Sequence, residues 1–176
     1  AYPQDSVDPI VAATGVIQAL QSVVSRNTDA REAAAVSVCH IEAGTAYNII
    51  PESVFFEGMV RTLDPVVREM VHERVRTLAE SVAAGYGCTA DVTLRRGSFL
   101  TANSLGLEEF AGRTINDAGL AVEAVGFKPQ MGAEDFCAFS RRVPSAYLFL
   151  GVRNEERGIT HMIHTPKFDV DEACLS

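Results

Sequence analysis

The sequence predicts an α+β unit of ferredoxin-like order, lacking its first strand, followed by part of an α/β domain. Three observations carry this reading. Two helices open on the same Asp-Pro pair, at Asp8-Pro9 and Asp64-Pro65, 56 residues apart, as two related halves would. Two runs of strand character lie between these helices and a third follows the second helix. The order helix, strand, strand, helix, strand is a split βαβ repeat short of one leading strand, which is expected before Ala1. After Gly97 single helices and strands alternate, the pattern of an α/β domain. The boundary therefore falls at 97/98, giving domains 1–97 and 98–176.

Each element has a local reason. In the first helix Ile10, Ala13, Ile17, Leu20 and Val24 recur at steps of three and four, which places them on one face. Asp8 can accept from the free N–H groups of the first turn, and Pro9 stands where its missing N–H costs nothing. Arg26-Asn27 ends the helix. The second helix repeats the device at Asp64-Pro65, with a stripe of Val67, Met70, Val71, Val75, Leu78 and Val82, and stops at Gly85 and Gly87. Ala33–Ile41 and Val54–Leu63 read as strands, the first from small and β-branched residues, the second from alternation. The connection Glu42–Glu52 is too long for a tight hairpin. Cys88–Arg95 reads as the third strand.

In the second domain, Thr101–Ser104 reads as a turn and cap before a helix from Leu105 to Ala118. A short strand is expected at Val122–Val125, and a short helix between Met131–Phe136 and Pro144. Ala146–Leu150 is an apolar run ended by Gly151, the pattern of a buried strand. A polar loop at Arg153–Thr160 leads to His161–Asp169.

Composition excludes several classes. Apolar residues make up 47 % and charged residues 22 %, the balance of a globular chain. Lys plus Arg is 15 against 23 Asp plus Glu, a net charge of −8, which repels phosphate backbones and anionic lipid. No nucleic-acid or membrane partner is expected. No apolar run approaches a bilayer span, and no basic-then-apolar leader is seen. Cys39, Cys88, Cys137 and Cys174 match no zinc-ribbon or redox spacing, so reduced thiols and a cytoplasmic location are the expectation.

Few residues call for chemistry. His164 follows the apolar run in Ile163-His-Thr-Pro166, where Pro forbids a helix interior; its imidazole can reach a cleft at a strand end and bind a metal, or simply cap the surface. His161, His40 and His72 have weaker cases. Glu134 follows Gly132 at a helix start, where a carboxylate either stabilises the helix dipole or edges a cleft whose backbone N–H groups take an anion. Asn48 can donate to an oxyanion or serve a turn, and Arg61 can hold a carboxylate or lie exposed on its strand. No serine elbow, phosphate loop, dinucleotide fingerprint or paired zinc-helix motif is present.

Five segments together do more. Val7-Asp-Pro-Ile-Val-Ala12, Gly44-Thr-Ala-Tyr-Asn-Ile-Ile-Pro51, Gly58-Met-Val-Arg-Thr62, Met131-Gly-Ala-Glu-Asp-Phe136 and His164-Thr-Pro-Lys-Phe-Asp169 stand in the right order. They closely resemble the aminoacylase-like metallopeptidases, in the branch of hippurate hydrolases and auxin amino-acid conjugate hydrolases, along essentially the whole chain. The resemblance implies hydrolysis of the amide bond of N-acyl amino acids at a site for two divalent metal ions (Zn, Mn, Ni or Co). It implies that 1–97 is most of a ferredoxin-like lid that also forms a homodimer contact, and that 98–176 is the returning part of the catalytic domain.

By position, His164 resembles the C-terminal metal ligand. Asn48 and Arg61 resemble lid residues on the substrate's carbonyl and carboxylate, reaching into the partner subunit's site. Gly132 and Glu134 resemble the cleft segment near the substrate carboxylate. The family's Cys-x-His ligands, adjacent Glu pair, further His ligand and lid His are absent from the sequence, Ala133 replaces a frequent Ser, and the closing helix after Ala173 is cut short. The implied reaction is attack of a metal-activated water on the amide, with Asn48 helping to hold the oxyanion and Arg61 the carboxylate. The chain alone is expected to be inactive. The competing expectations are a non-catalytic ferredoxin-like dimerisation or small-molecule-binding module, and a degenerate homologue without metals.

Overall fold

A computed structural model describes residues 2–118, 126 and 128–175. The contacts divide the chain into two compact units, Ala1–Leu100 with Val125–Asp135, and Thr101–Ala124 with Phe136–Ser176. The expected strand at Val122–Val125 lies outside the described residues.

The first unit is built on helices α1 (Pro9–Ser22) and α2 (Pro65–Gly85) and strands β1 (Ala34–Ala43) and β2 (Val54–Thr62). Both helices begin as their sequences dictate. Asp8 Oδ1 accepts from the N–H groups of Ile10 (2.9 Å) and Val11 (3.3 Å), and Asp64 Oδ1 from those of Val66 (2.7 Å) and Val67 (2.9 Å). The end of α2 is equally local. Cys88 N–H donates to the Ala83 carbonyl and Gly87 N–H to that of Ala84, with Gly87 at φ +77°, which closes a Schellman turn. One wide turn, Val23–Asn27, continues α1.

β1 and β2 pair antiparallel, from Ala34 opposite Thr62 to Ala43 opposite Val54, with a bulge at Cys39. The bulge shifts the pleat by one residue, so that Val36, Val38 and then Phe56, opposite Ile41, face the helices while His40 and Glu42 point away. It also accounts for Gly58. A Cβ there would lie 1.9 Å from the carbonyl oxygen of Ser37, so no other residue fits opposite the bulge. Val16, Leu20, Val23, Val71, Ala79 and Ala83 form the core, covered by the inner face of the sheet and by Cys88, Ala90 and Val92. Val23 and Val71 are fully buried, each worth roughly 1.5–3 kcal/mol.

Two expectations shift here. The buried face of α1 is Ala12, Ala13, Val16, Leu20 and Val23, rotated from the expected stripe, and Ile10 is exposed. Both series are apolar, so periodicity alone cannot choose between them. Cys88–Arg95 alternates between partly buried and exposed residues, as a strand would, but no described strand pairs with it. In a split βαβ sheet the last strand hydrogen-bonds to the first, the strand this order lacks. It is held instead by packing on α2 and by Arg76, whose Nη1 donates to the Val92 carbonyl at 3.0 Å.

The second unit has α3 (Leu107–Asp117) and a four-residue helix α4 (Cys137–Ser140). Polar pins hold it. Asn103 pairs with the backbone of Tyr147 on both sides, Nδ2 to the carbonyl (3.1 Å) and Oδ1 from the N–H (2.7 Å). Ser104 accepts from Ser145 N–H through its Oγ (3.0 Å), so its side chain does not cap α3 as expected. Phe136, Tyr147 and Phe149 stack in series, each pair of ring centres 5.2 Å apart. The apolar run Ala146–Leu150 was expected to be a buried strand. Leu148, Phe149 and Leu150 are exposed and no described strand lies alongside; a parallel strand is buried only where other elements cover both faces of its sheet. The four cysteines are free thiols. Among the described residues no helix is long and apolar enough to cross a membrane.

Candidate functional site

The first unit brings together two of the segments singled out in the sequence. Arg61 stands on β2 opposite Ala35. Its Nε lies 3.0 Å from Met59 Sδ, and its Nη1 donates to the Met131 carbonyl, next to Gly132. The guanidinium is thus half-buried and fixed in direction, and among the described residues nothing pairs with its Nη2. A planar guanidinium fixed through Nε and Nη1 leaves Nη2 as a charged donor for a carboxylate. Gly132 is exposed and Glu134 half-buried beside it in sequence. The expected helix start at these residues is corrected: α4 begins only at Cys137, so Glu134 and Asp135 lie upstream of its first turn.

Asn48 occupies the β1–β2 connection, which turns through a hydrogen bond from Ile49 N–H to the Ala46 carbonyl at 3.4 Å. The connection, with Asp8 and Ile10, borders an open recess of about 630 Å³. Asn48 is exposed there, next to a fully exposed Tyr47. No contact joins Asn48 to Arg61.

His164 lies in the second unit, exposed, in the turn Ile163-His164, which a second turn, Pro166-Lys167, follows. Thr165 Oγ1 donates to the Met162 carbonyl at 2.9 Å and Phe168 N–H to that of Thr165 at 3.1 Å. Among the described residues His164 is the one non-glycine residue with positive φ, +65°. That left-handed backbone costs a residue with a Cβ about 1–2 kcal/mol. The imidazole fits a metal as one donor of several. Among the described residues no group of three or more His, Cys, Asp or Glu side chains could hold an ion.

His161 is exposed, and the two histidines of the first unit have surroundings of their own. His40 stands on the outer face of the sheet, its nitrogens 3.4 Å from Glu42 and 3.5 Å from Glu57. His72 is partly buried on α2, and desolvation lowers its pKa, with Glu69 opposing and Arg68 and Arg96 adding to the fall. Sequence reasoning passed over one group: Asn154, Arg157 and Asp171, which meet across the polar loop and flank His164 in sequence. Only their proximity in the fold marks them.

Comparison with known proteins places these segments. A family model described as peptidase family M20/M25/M40 matches residues 11–175. N-acetylcysteine deacetylase of Bacillus subtilis (strain 168) is 36 % identical over 99 % of this chain and 44 % of its own length. Thermostable carboxypeptidase 2 of Saccharolobus solfataricus is 31 % identical over 98 % of the chain and 44 % of its own length. The crystal structure of the Bacillus subtilis YXEP protein, described as a dinuclear metal binding peptidase, matches with a TM-score of 0.78 at 31 % identity, over 98 % of this chain and 43 % of that one. The chain therefore spans less than half the length of the relatives it matches.

Proposed function

The chain belongs to peptidase family M20/M25/M40, and from that membership we propose that it works as part of a metal-dependent amidohydrolase acting on N-acyl amino acids. Residues 1–97 serve as the lid and homodimer contact, and 98–176 as the returning part of the catalytic domain, in a cytoplasmic enzyme. The observation that carries the reading is the backbone of His164, held at φ +65° in the segment where the sequence resemblance puts a metal ligand.

In this reading His164 would offer an imidazole nitrogen to one of two divalent ions. When bound, the ions acidify a water and polarise the amide. The rest falls to side chains of this chain. Arg61, fixed by Met131, holds the substrate carboxylate through Nη2, beside the backbone of Gly132 and the side chain of Glu134. Asn48 donates its amide N–H to the carbonyl oxygen as charge builds there. The names of the two relatives support amide cleavage next to an amino-acid carboxylate. The deacetylase favours an acetyl group, whereas the motif resemblance favours the benzoyl group of hippurate.

The full-length protein, incubated with N-acetyl and N-benzoyl amino acids, is expected to release free amino acid and to stop when a chelator is added. Release that persists in chelator contradicts the metal reading. No release from either series favours the non-catalytic module, and the ratio of the two rates assigns the acyl group.

A further inference from the structure

His164 sits inside an excursion of the chain whose two ends are tied together. Asp171 N–H donates to the Val152 carbonyl at 3.0 Å, closing the base. The Asp171 carboxylate then accepts from Asn154 Nδ2 at 2.7 Å, from Arg157 Nη1, and from Ala173 N–H at 3.3 Å. On the other side, Asn154 and Ile159 exchange backbone hydrogen bonds at 3.0 and 2.8 Å, and Asn154 Oδ1 accepts from Arg157 N–H at 3.1 Å. Asn154 thus uses one end of its amide to hold the Glu155–Gly158 turn and the other to hold Asp171. Among the described residues, the arm that carries His164 has only local bonds, those of Thr165, Phe168 and Val170. Such bonds set the shape of a turn but do not anchor it.

We propose that Asp171, bridged to Asn154 and Arg157, is a positioning residue that closes the 152–171 excursion and holds His164 in its left-handed turn. The proposal rests on the reading of His164 as a metal ligand. Tying the ends of a loop removes most of its conformational freedom, and a ligand whose backbone is already set loses less on binding. The Asp171 side chain is 14 % exposed whereas Arg157 is 61 % exposed, so the half-buried carboxylate is the centre of the clamp and the guanidinium its outer arm. Hydrogen bonding, from Asn154 most of all, keeps the Asp171 carboxyl below the usual carboxylate range, which favours its charged form in the clamp.

A simpler role competes. Asp171 also stands at the start of the short turn Glu172–Leu175 and caps it through Ala173 N–H. A cap explains neither Asn154 nor Arg157, and Asn caps a helix about as well as Asp. Asp171→Asn therefore separates the two: it keeps the cap on Oδ1, removes the charge that Arg157 answers, and sets an NH2 group against the Nδ2 donor of Asn154.

In the full-length protein, D171N is expected to speed amide hydrogen exchange at 158–168 by 10-fold or more, with exchange in α1, β1 and α2 unchanged. It is also expected to weaken Zn2+ affinity, measured by competition with a chromogenic chelator, by about 10–100-fold. Arg157→Gln, on an exposed side chain, is expected to loosen the same amides less, and it serves if D171N fails to fold. N154D/D171N, which exchanges acceptor and donor, is expected to recover part of the affinity. Unchanged exchange and unchanged Zn2+ affinity in D171N and R157Q overturn the clamp. The result of His164→Ala tells the two readings apart: if it leaves Zn2+ affinity intact the ligand assignment fails, and if it abolishes tight binding while D171N does nothing, the clamp alone fails.

Discussion

The two units are held together by different physics. The first has a core of its own, with Val16, Leu20, Val23 and Val71 closed between two helices and the inner face of a sheet. In the second, the buried residues among those described are Cys137 and Ser145, and order comes from side chains that grip backbone, as Asn103 grips Tyr147 and Asp171 grips the loop base. Apolar packing is spread over many atoms and tolerates small changes. A polar pin is local and fails as a unit.

The largest expected effect tests the rigid unit. Gly58→Ala places a Cβ against the Ser37 carbonyl and is expected to cost about 3 kcal/mol or more in urea unfolding, since neither backbone can yield. A loss below about 1 kcal/mol would mean that the bulge is not obligatory. Leu20→Ala removes a core side chain and is expected to cost about 3 kcal/mol, from transfer and cavity terms together. A cost near zero would remove the core from the comparison.

How much of this was legible follows from how local each cause is. The caps at Asp8 and Asp64 and the stop at Gly87 depend on a few neighbouring residues, and they stand where the sequence puts them. The face of α1 was misplaced because the series through Ile10 and the series through Ala12 are equally apolar. Gly58 gave no signal until the register was known, since its meaning lies in Ser37 on another strand. Ala146–Leu150 reads as buried because a parallel strand is buried by its neighbours, a property outside the segment itself. In the candidate site, the motif order named Arg61 and Met131–Phe136 separately. Their hydrogen bond spans 70 residues of sequence, and nothing in either segment announces the other. The clamp around His164 was invisible for the same reason.

Smaller effects test the pinned unit. Asn103→Ala removes both bonds to Tyr147 and is expected to cost about 1–2 kcal/mol, read as faster exchange of the Tyr147 amide. Exchange unchanged within a factor of two would show that the pin does not hold this segment. The smallest effect is a pH dependence in the first unit. Burial lowers the pKa of His72 below its ordinary 6.5, so the unfolded chain binds the proton more tightly. Stability is therefore full above pH 6.5 and falls as the pH drops through the folded-state value. His72→Gln is expected to flatten that part of the curve, and an identical slope in the variant would assign it to another group.

The central claim is that His164 is held in its left-handed turn to bind a metal. The most direct measurement is metal stoichiometry of the full-length protein and of His164→Ala, each loaded with Zn2+ and dialysed. The account predicts two ions per chain in the parent and fewer in the variant, with the first unit folded in both. Equal stoichiometry and equal affinity in the two proteins would contradict it.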